Sequence, residues 1–197
     1  TRFEQFLPEK RQFFIDNSDL FQSFGSVYRD AYPFFSRRIG LARDTAGNLI
    51  ENRILGGVRL SGKINENWRL GFLNIQTAED VGNEIPSNNN MMLAVQRKVF
   101  SRSNIGFFAL NRQTFKEYEF LDSTKRYNRL MGFDYNLASE DNTWTGKFYL
   151  HKSFQPDDNK GNLSSQATVN YNRRHFQLTT DWVYVDRDFT SDLGFVP

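Results

Sequence analysis

From about residue 50 onward, apolar and polar residues alternate with a period of two in runs of roughly ten, the signature of half-buried strands rather than helices. In 52–64, Ile54, Val58, Leu60 and Ile64 share a face with Gly56 and Gly62, against Gly57, Arg59, Ser61 and Lys63. A turn at Asn65-Glu66-Asn67 leads to Trp68, Leu70 and Phe72 at alternate positions, in a strand running to about Thr77. Segments 91–100 and 104–113, hinged at Ser101-Arg102-Ser103, form a second pair. Their faces are less clean, because Phe107, Phe108 and Leu110 put apolar groups on both sides. Tyr127, Met131, Phe133, Tyr135 and Leu137 then alternate with Asn128, Gly132, Asp134 and Asn136, with Arg129 and Leu130 as exceptions. After Ser139-Glu140-Asp141-Asn142, Trp144, Phe148 and Leu150 oppose Thr145, Lys147, Tyr149 and His151. The last pair carries Ala167, Val169 and Tyr171, turns at Asn172-Arg173-Arg174, and continues through Phe176, Leu178, Trp182 and Tyr184, which makes eight strands.

The links between these strands alternate between short turns and the long polar segments 78–90, 114–126 and 155–163. Short turns at one end, long loops at the other and strands long enough to cross a bilayer at a tilt predict an all-β, antiparallel up-and-down transmembrane β-barrel. On that reading Phe72, Met131, Phe133, Tyr135, Phe148, Leu150 and Leu178 face lipid. Trp68 and Trp144 sit at one membrane interface, Trp182 and Tyr184 at the other. A one-residue slip of strand 143–154 would turn Lys147 toward lipid, at a cost of about 2–4 kcal/mol at mid-bilayer. The competing architecture is a soluble barrel or sandwich, whose inner face would be the apolar one.

Residues 1–45 break this rhythm and are read as a largely irregular lead-in to the strands of 46–197, with Pro8 and Pro33 as breakers. The basic pairs Lys10-Arg11 and Arg37-Arg38 lie near Phe13, Phe14 and Phe35. The lead-in is therefore either a lumenal plug, with Arg on lumen carboxylates and Phe on the wall, or a periplasmic linker.

Composition supports export. The 197 residues include 20 Phe, 8 Tyr and 3 Trp, yet mean hydropathy is −0.63, so aromatic and strongly polar residues are interleaved. No apolar run reaches the roughly 18 residues that a transmembrane helix needs. Cysteine is absent, which removes disulfides and thiolate sites and suits passage through an oxidising periplasm. The 25 basic and 23 acidic residues are mixed along the chain and offer no concentrated field for nucleic acid. No signal peptide opens the sequence, and both ends are expected to be truncated.

The segment Phe6-Leu7-Pro8-Glu9-Lys10-Arg11 with Phe13-Phe14, then Asp19-Leu20-Phe21 and Phe35-Ser36-Arg37-Arg38-Ile39-Gly40, resembles a known family, as do Gly62-Lys63, Gly71-Phe72-Leu73-Asn74 and Ser103-Asn104-Ile105-Gly106. The chain is similar to an uncharacterised Gram-negative outer-membrane barrel family in which a periplasmic domain similar to family-nine carbohydrate-binding modules precedes the barrel. The resemblance implies an outer-membrane location and a link to other cell-envelope proteins, or to a glycan through the upstream domain. It implies no chemistry.

Candidate chemistry is sparse. His151 and His175 are the only histidines, and His151 faces the predicted lumen, where a membrane-embedded hydrolase would need it. Asp157-Asp158-Asn159 before Lys160-Gly161, and Asp186-Arg187-Asp188 with Asp192, supply oxygen ligands without a recognised calcium spacing. No catalytic, metal or cofactor site is expected. The expected function is that of a conduit, anchor or partner in a cell-surface assembly, set against a hydrolase using His151 and a soluble ligand-binding barrel or sandwich.

Overall fold

The computed structural model describes residues 10–25, 31–156 and 160–196. In chain order it holds two short helices, α1 (Gln12–Ile15) and α2 (Ser18–Gln22), then a small hairpin of β1 (Leu41–Arg43) and β2 (Leu49–Glu51). Eight long strands follow: β3 (Ile54–Lys63), β4 (Trp68–Thr77), β5 (Asn89–Val99), β6 (Ser103–Gln113), β7 (Tyr127–Ala138), β8 (Trp144–Phe154), β9 (Leu163–Arg173) and β10 (Phe176–Val185). The eight form one antiparallel up-and-down sheet in which each strand pairs with its neighbours in sequence. The sheet is open, with β3 and β10 as its edges, rather than closed into a barrel.

Local chemistry accounts for the turns. Asp44 Oδ1 accepts from the backbone N–H groups of Ala46 and Asn48, and Gly47 takes a φ of +84°, so the chain reverses between β1 and β2. The domain boundary expected at residue 45 falls inside this turn. Between β7 and β8, Asp141 accepts from Ser139 Oγ and from both the N–H and Oγ of Thr143. That turn sets the register from Ala138 opposite Thr145 to Arg129 opposite Phe154.

Two local expectations are corrected. The β9–β10 turn is Arg174-His175, because Arg173 already pairs with Phe176. In β3 the register shifts between Ile54 and Gly56, a bulge that sets Ile54 opposite inward-facing Thr77. Ile54 therefore leaves the face of Val58 and Leu60 and approaches Gly40.

The two faces of the sheet are opposite in character. On the outer face, large apolar side chains stand in the open along the strands, including Leu60 and Phe133, both 61% exposed, and Trp182 at 57%. The inner face is covered by the chain itself. Phe14, Leu20, Phe21, Phe24, Phe34 and Ile39 of the lead-in pack with Leu73, Ile75, Met92, Phe108, Leu110 and Leu130 of β4–β7. The segment after β10 folds back onto this layer, burying Phe189 and Leu193, while Tyr32 and Phe195 exchange backbone hydrogen bonds.

Candidate functional site

The inner face and the segment lying on it form the candidate site. The lead-in follows a there-and-back path along the sheet. Near the end with the long connections, Arg11 donates to the carbonyls of Ile39 (2.8 Å) and Ser36 (2.9 Å), and its guanidinium lies 4.3 Å from the Phe14 ring centre. Farther along, Asn17 donates to Ser61 Oγ (3.2 Å) and Asp19 pairs with Arg69 (2.6 Å), both beside the short-turn end. Residues 31–43 are again at the long-connection end, where Arg38 donates to the Gly194 carbonyl (3.0 Å) and Ser191 to that of Pro33 (2.7 Å).

Small wall residues receive this insert. A Cβ built on Gly71 would meet the Phe21 ring at 2.8 Å, and one on Gly106 would meet the Phe24 ring at 2.7 Å. Neither glycine has a positive φ, so each serves close approach rather than backbone conformation. Gly132 does the same within the wall, since a Cβ there would stand 2.2 Å from the His151 ring.

The most buried of the acidic and basic side chains among the described residues lie beneath the apex of the insert. Asp134 on β7 and His151 on β8 are diagonal cross-strand neighbours, with Asp134 Oδ1 2.7 Å from His151 Nε2. Asp134 Oδ2 accepts from the Gly25 N–H at 2.9 Å and stands 3.3 Å from Lys147 Nζ. Lys147 also donates to the Ser23 carbonyl, and Gln96 donates to Ser23 Oγ at 2.7 Å. The side chains of Asp134 and His151 are 1% and 0% exposed, and that of Lys147 13%. His151 lies between the rings of Phe108 (4.8 Å) and Tyr149 (4.3 Å). Its Nδ1 has no hydrogen-bond partner among the described residues, so no hydroxyl is held there as a nucleophile.

Outside this cluster, several carboxylates are lowered by their partners, Asp19 and Asp141 among them. The bond from Arg69 holds the Asp19 carboxyl below the usual carboxylate range. The Thr143 hydroxyl, then its N–H and Ser139, do the same for Asp141, which also meets Arg173 at 3.1 Å. At the long-connection end an open cavity of about 620 Å³ lies between insert and wall, with Arg38, Arg43, Asn52, Arg112 and Asp192 among its lining. Arg112 and Asp192 face each other at 2.6 Å across it.

The residues singled out from sequence divide as follows. Pro8 and Glu9 of the lead-in motif, and the acidic run Asp157-Asp158-Asn159, lie outside the described residues. Lys10 is exposed and Arg37 half-buried, while of the paired phenylalanines Phe14 is buried and Phe13 exposed. Arg11 and Arg38 reach main-chain carbonyls, and the Asp19–Arg69 pair runs opposite to the expected polarity, with the acid on the insert and the base on the wall. Phe72, Met131, Phe133, Tyr135, Phe148, Leu150 and Leu178 all lie on the outer face, where Phe107 and Phe133 touch at 5.0 Å and Tyr135 stacks on Phe148 at 6.1 Å.

Trp68 and Trp144 stand at the short-turn end, Trp144 against Tyr171 at 4.8 Å; Trp182 and Tyr184 stack at 6.3 Å toward the other end. His175 is an exposed turn residue. Among the described residues no three of His, Cys, Asp or Glu are grouped to hold a metal ion. The sequence reading missed Asp134 as the shared partner of His151 and Lys147; the register implied by the turn at 139–143 is the signal that brings them together.

Comparison of the chain with protein-family models, with curated proteins and with solved structures returned no match.

Proposed function

We propose that this chain is part of an outer-membrane β-barrel acting as a conduit, with the lead-in as its plug. The observation that carries this is the inversion of the two faces. The face without a covering carries large apolar side chains along the strands, whereas the covered face is apolar only under the insert on β4–β7 and holds buried polar groups, His151, Ser153, Gln166 and Thr168, on β8 and β9. A soluble sandwich buries its apolar face, whereas lipid requires the reverse.

Lumen size supports a larger barrel than the sheet alone. Eight strands closed on themselves leave an interior only wide enough for side chains. Here the inner face carries two short helices and a returning segment as well. Lipid offers nothing to unpaired backbone groups, so the edges β3 and β10 call for further strands between them. The cavity of about 620 Å³ at the long-connection end is the mouth of the conduit. In keeping with the family resemblance, partners are outer-membrane lipid and cell-envelope components; His151, enclosed by rings and by Asp134, favours a structural role over hydrolysis.

The test is lipid-directed photolabelling in native outer membranes, with a photoreactive residue placed at Phe133 or at inward-facing Asn136. Strong labelling at 133 alone supports the barrel. Absence of labelling at 133, or equal labelling at both, returns the chain to the soluble class.

A further inference from the structure

The apex of the plug is held by its main chain, and the groups that hold it are charged. The Ser23 carbonyl accepts from Lys147, and the Gly25 N–H donates to Asp134 at 2.9 Å. Lys147 and Asp134 in turn face each other at 3.3 Å, and His151 closes the remaining carboxylate oxygen at 2.7 Å. The plug thus completes a set of charged hydrogen bonds on β7 and β8 that its departure would hand to water.

Taking these charges out of water is costly, and their mutual attraction offsets that cost only when every partner is in place. Docking Leu20, Phe21 and Phe24 on the wall is favourable, while desolvating Asp134 and Lys147 opposes it. Two large opposing terms leave a small difference, and a small difference is what a modest perturbation can tip. From this geometry we infer that Asp134 and Lys147 form the latch of the plug: intact, it keeps the conduit shut, and loss of either charge alone releases the apex. The inference rests on the plugged-conduit reading above.

The chain has no cysteine, so Ser23→Cys supplies a single thiol at the apex. In the full-length protein reconstituted in liposomes, the rate of modification by a membrane-impermeant maleimide-polyethylene glycol reports apex exposure. Asp134→Asn, or Lys147→Gln, is expected to raise that rate roughly tenfold to a hundredfold, because each removes one charged partner from a buried group that relies on it. The double change Asp134→Asn with Lys147→Met removes both charges, and the rate is expected to return to within about threefold of the parent.

Heat-modifiable gel migration monitors the barrel separately, and if Asp134→Asn fails to fold, Lys147→Gln and the double variant carry the test. Folded single variants that label at the parental rate would overturn the latch while leaving the conduit intact, provided Phe133 still labels from lipid. Loss of lipid labelling at Phe133 in the parent protein overturns the conduit and the latch together.

Discussion

The inner faces of β4–β7 and of β8–β9 belong to one continuous sheet, yet they are built from different chemistry. Under the plug, β4–β7 offer Leu73, Ile75, Met92, Phe108, Leu110 and Leu130, together with the hollows above Gly71 and Gly106. The next two strands offer His151, Ser153, Ser164, Gln166 and Thr168, which are buried but polar. There the side chains bond within the wall, as when Tyr149 meets Ser164 at 3.2 Å and Gln166 donates to Asp181 at 2.9 Å. The apolar half receives another segment by its shape; the polar half bonds in part among its own side chains and in part to the segment after β10, where the Thr190 N–H donates to Ser153. Asp134 and Lys147 lie where the two halves meet.

Removing shape from the apolar half should have the largest effect. Phe24→Ala vacates the hollow over Gly106 and is expected to cost about 3–5 kcal/mol of docking of the lead-in, read as faster proteolysis of residues 12–25 while the sheet stays folded. Filling the same hollow from the wall with Gly106→Val is expected to cost about 1–3 kcal/mol by the same assay. The polar half predicts a smaller response: Thr168→Val removes its hydroxyl's bond to Asp181 and should shift the stability of the sheet by about 1 kcal/mol, leaving proteolysis of residues 12–25 unchanged. If Thr168→Val loosens the plug as much as Phe24→Ala, the division between the halves fails.

Acid should have the smallest effect. Because Arg69 lowers the Asp19 carboxyl in the docked state, its contribution is present above the unfolded carboxylate value of about 4 and is lost as pH falls through the lowered one. Plug protection should thus be measurably weaker in Asp19→Asn at pH 7, and the difference from the parent should vanish at a pH below the lowered carboxyl. Equal sensitivity at both pH values would remove Asp19 from the docking contact.

The strands were legible because a strand exposes its register in every second residue, and 127–137 shows this most clearly. The mixed faces of 104–113 had a physical cause that the alternation could not supply: Phe108 and Leu110 face a covering that comes from the lead-in. The lead-in itself was opaque, since helices of four and five residues are too short to express a 3.6-residue period. The β1–β2 hairpin has three-residue strands, too short to alternate visibly, and only Gly47 and Asn48 marked it. His151 could be singled out as a residue type, but its contact with Asp134 depends on strand register, and the contact of Asp134 with Gly25 on chain packing.

The sequence distances across the plug contact also impose an order of assembly. Asp19 reaches Arg69 across 50 residues, Ser23 reaches Gln96 across 73, and Gly25 reaches Asp134 across 109. A chain made from its amino end presents Phe14, Phe21 and Phe24 before any strand that receives them exists. Contacts this remote are entropically late, so the sheet must form first and the plug must settle onto it afterwards. Until then, three aromatic side chains stay uncovered and open to non-native contacts.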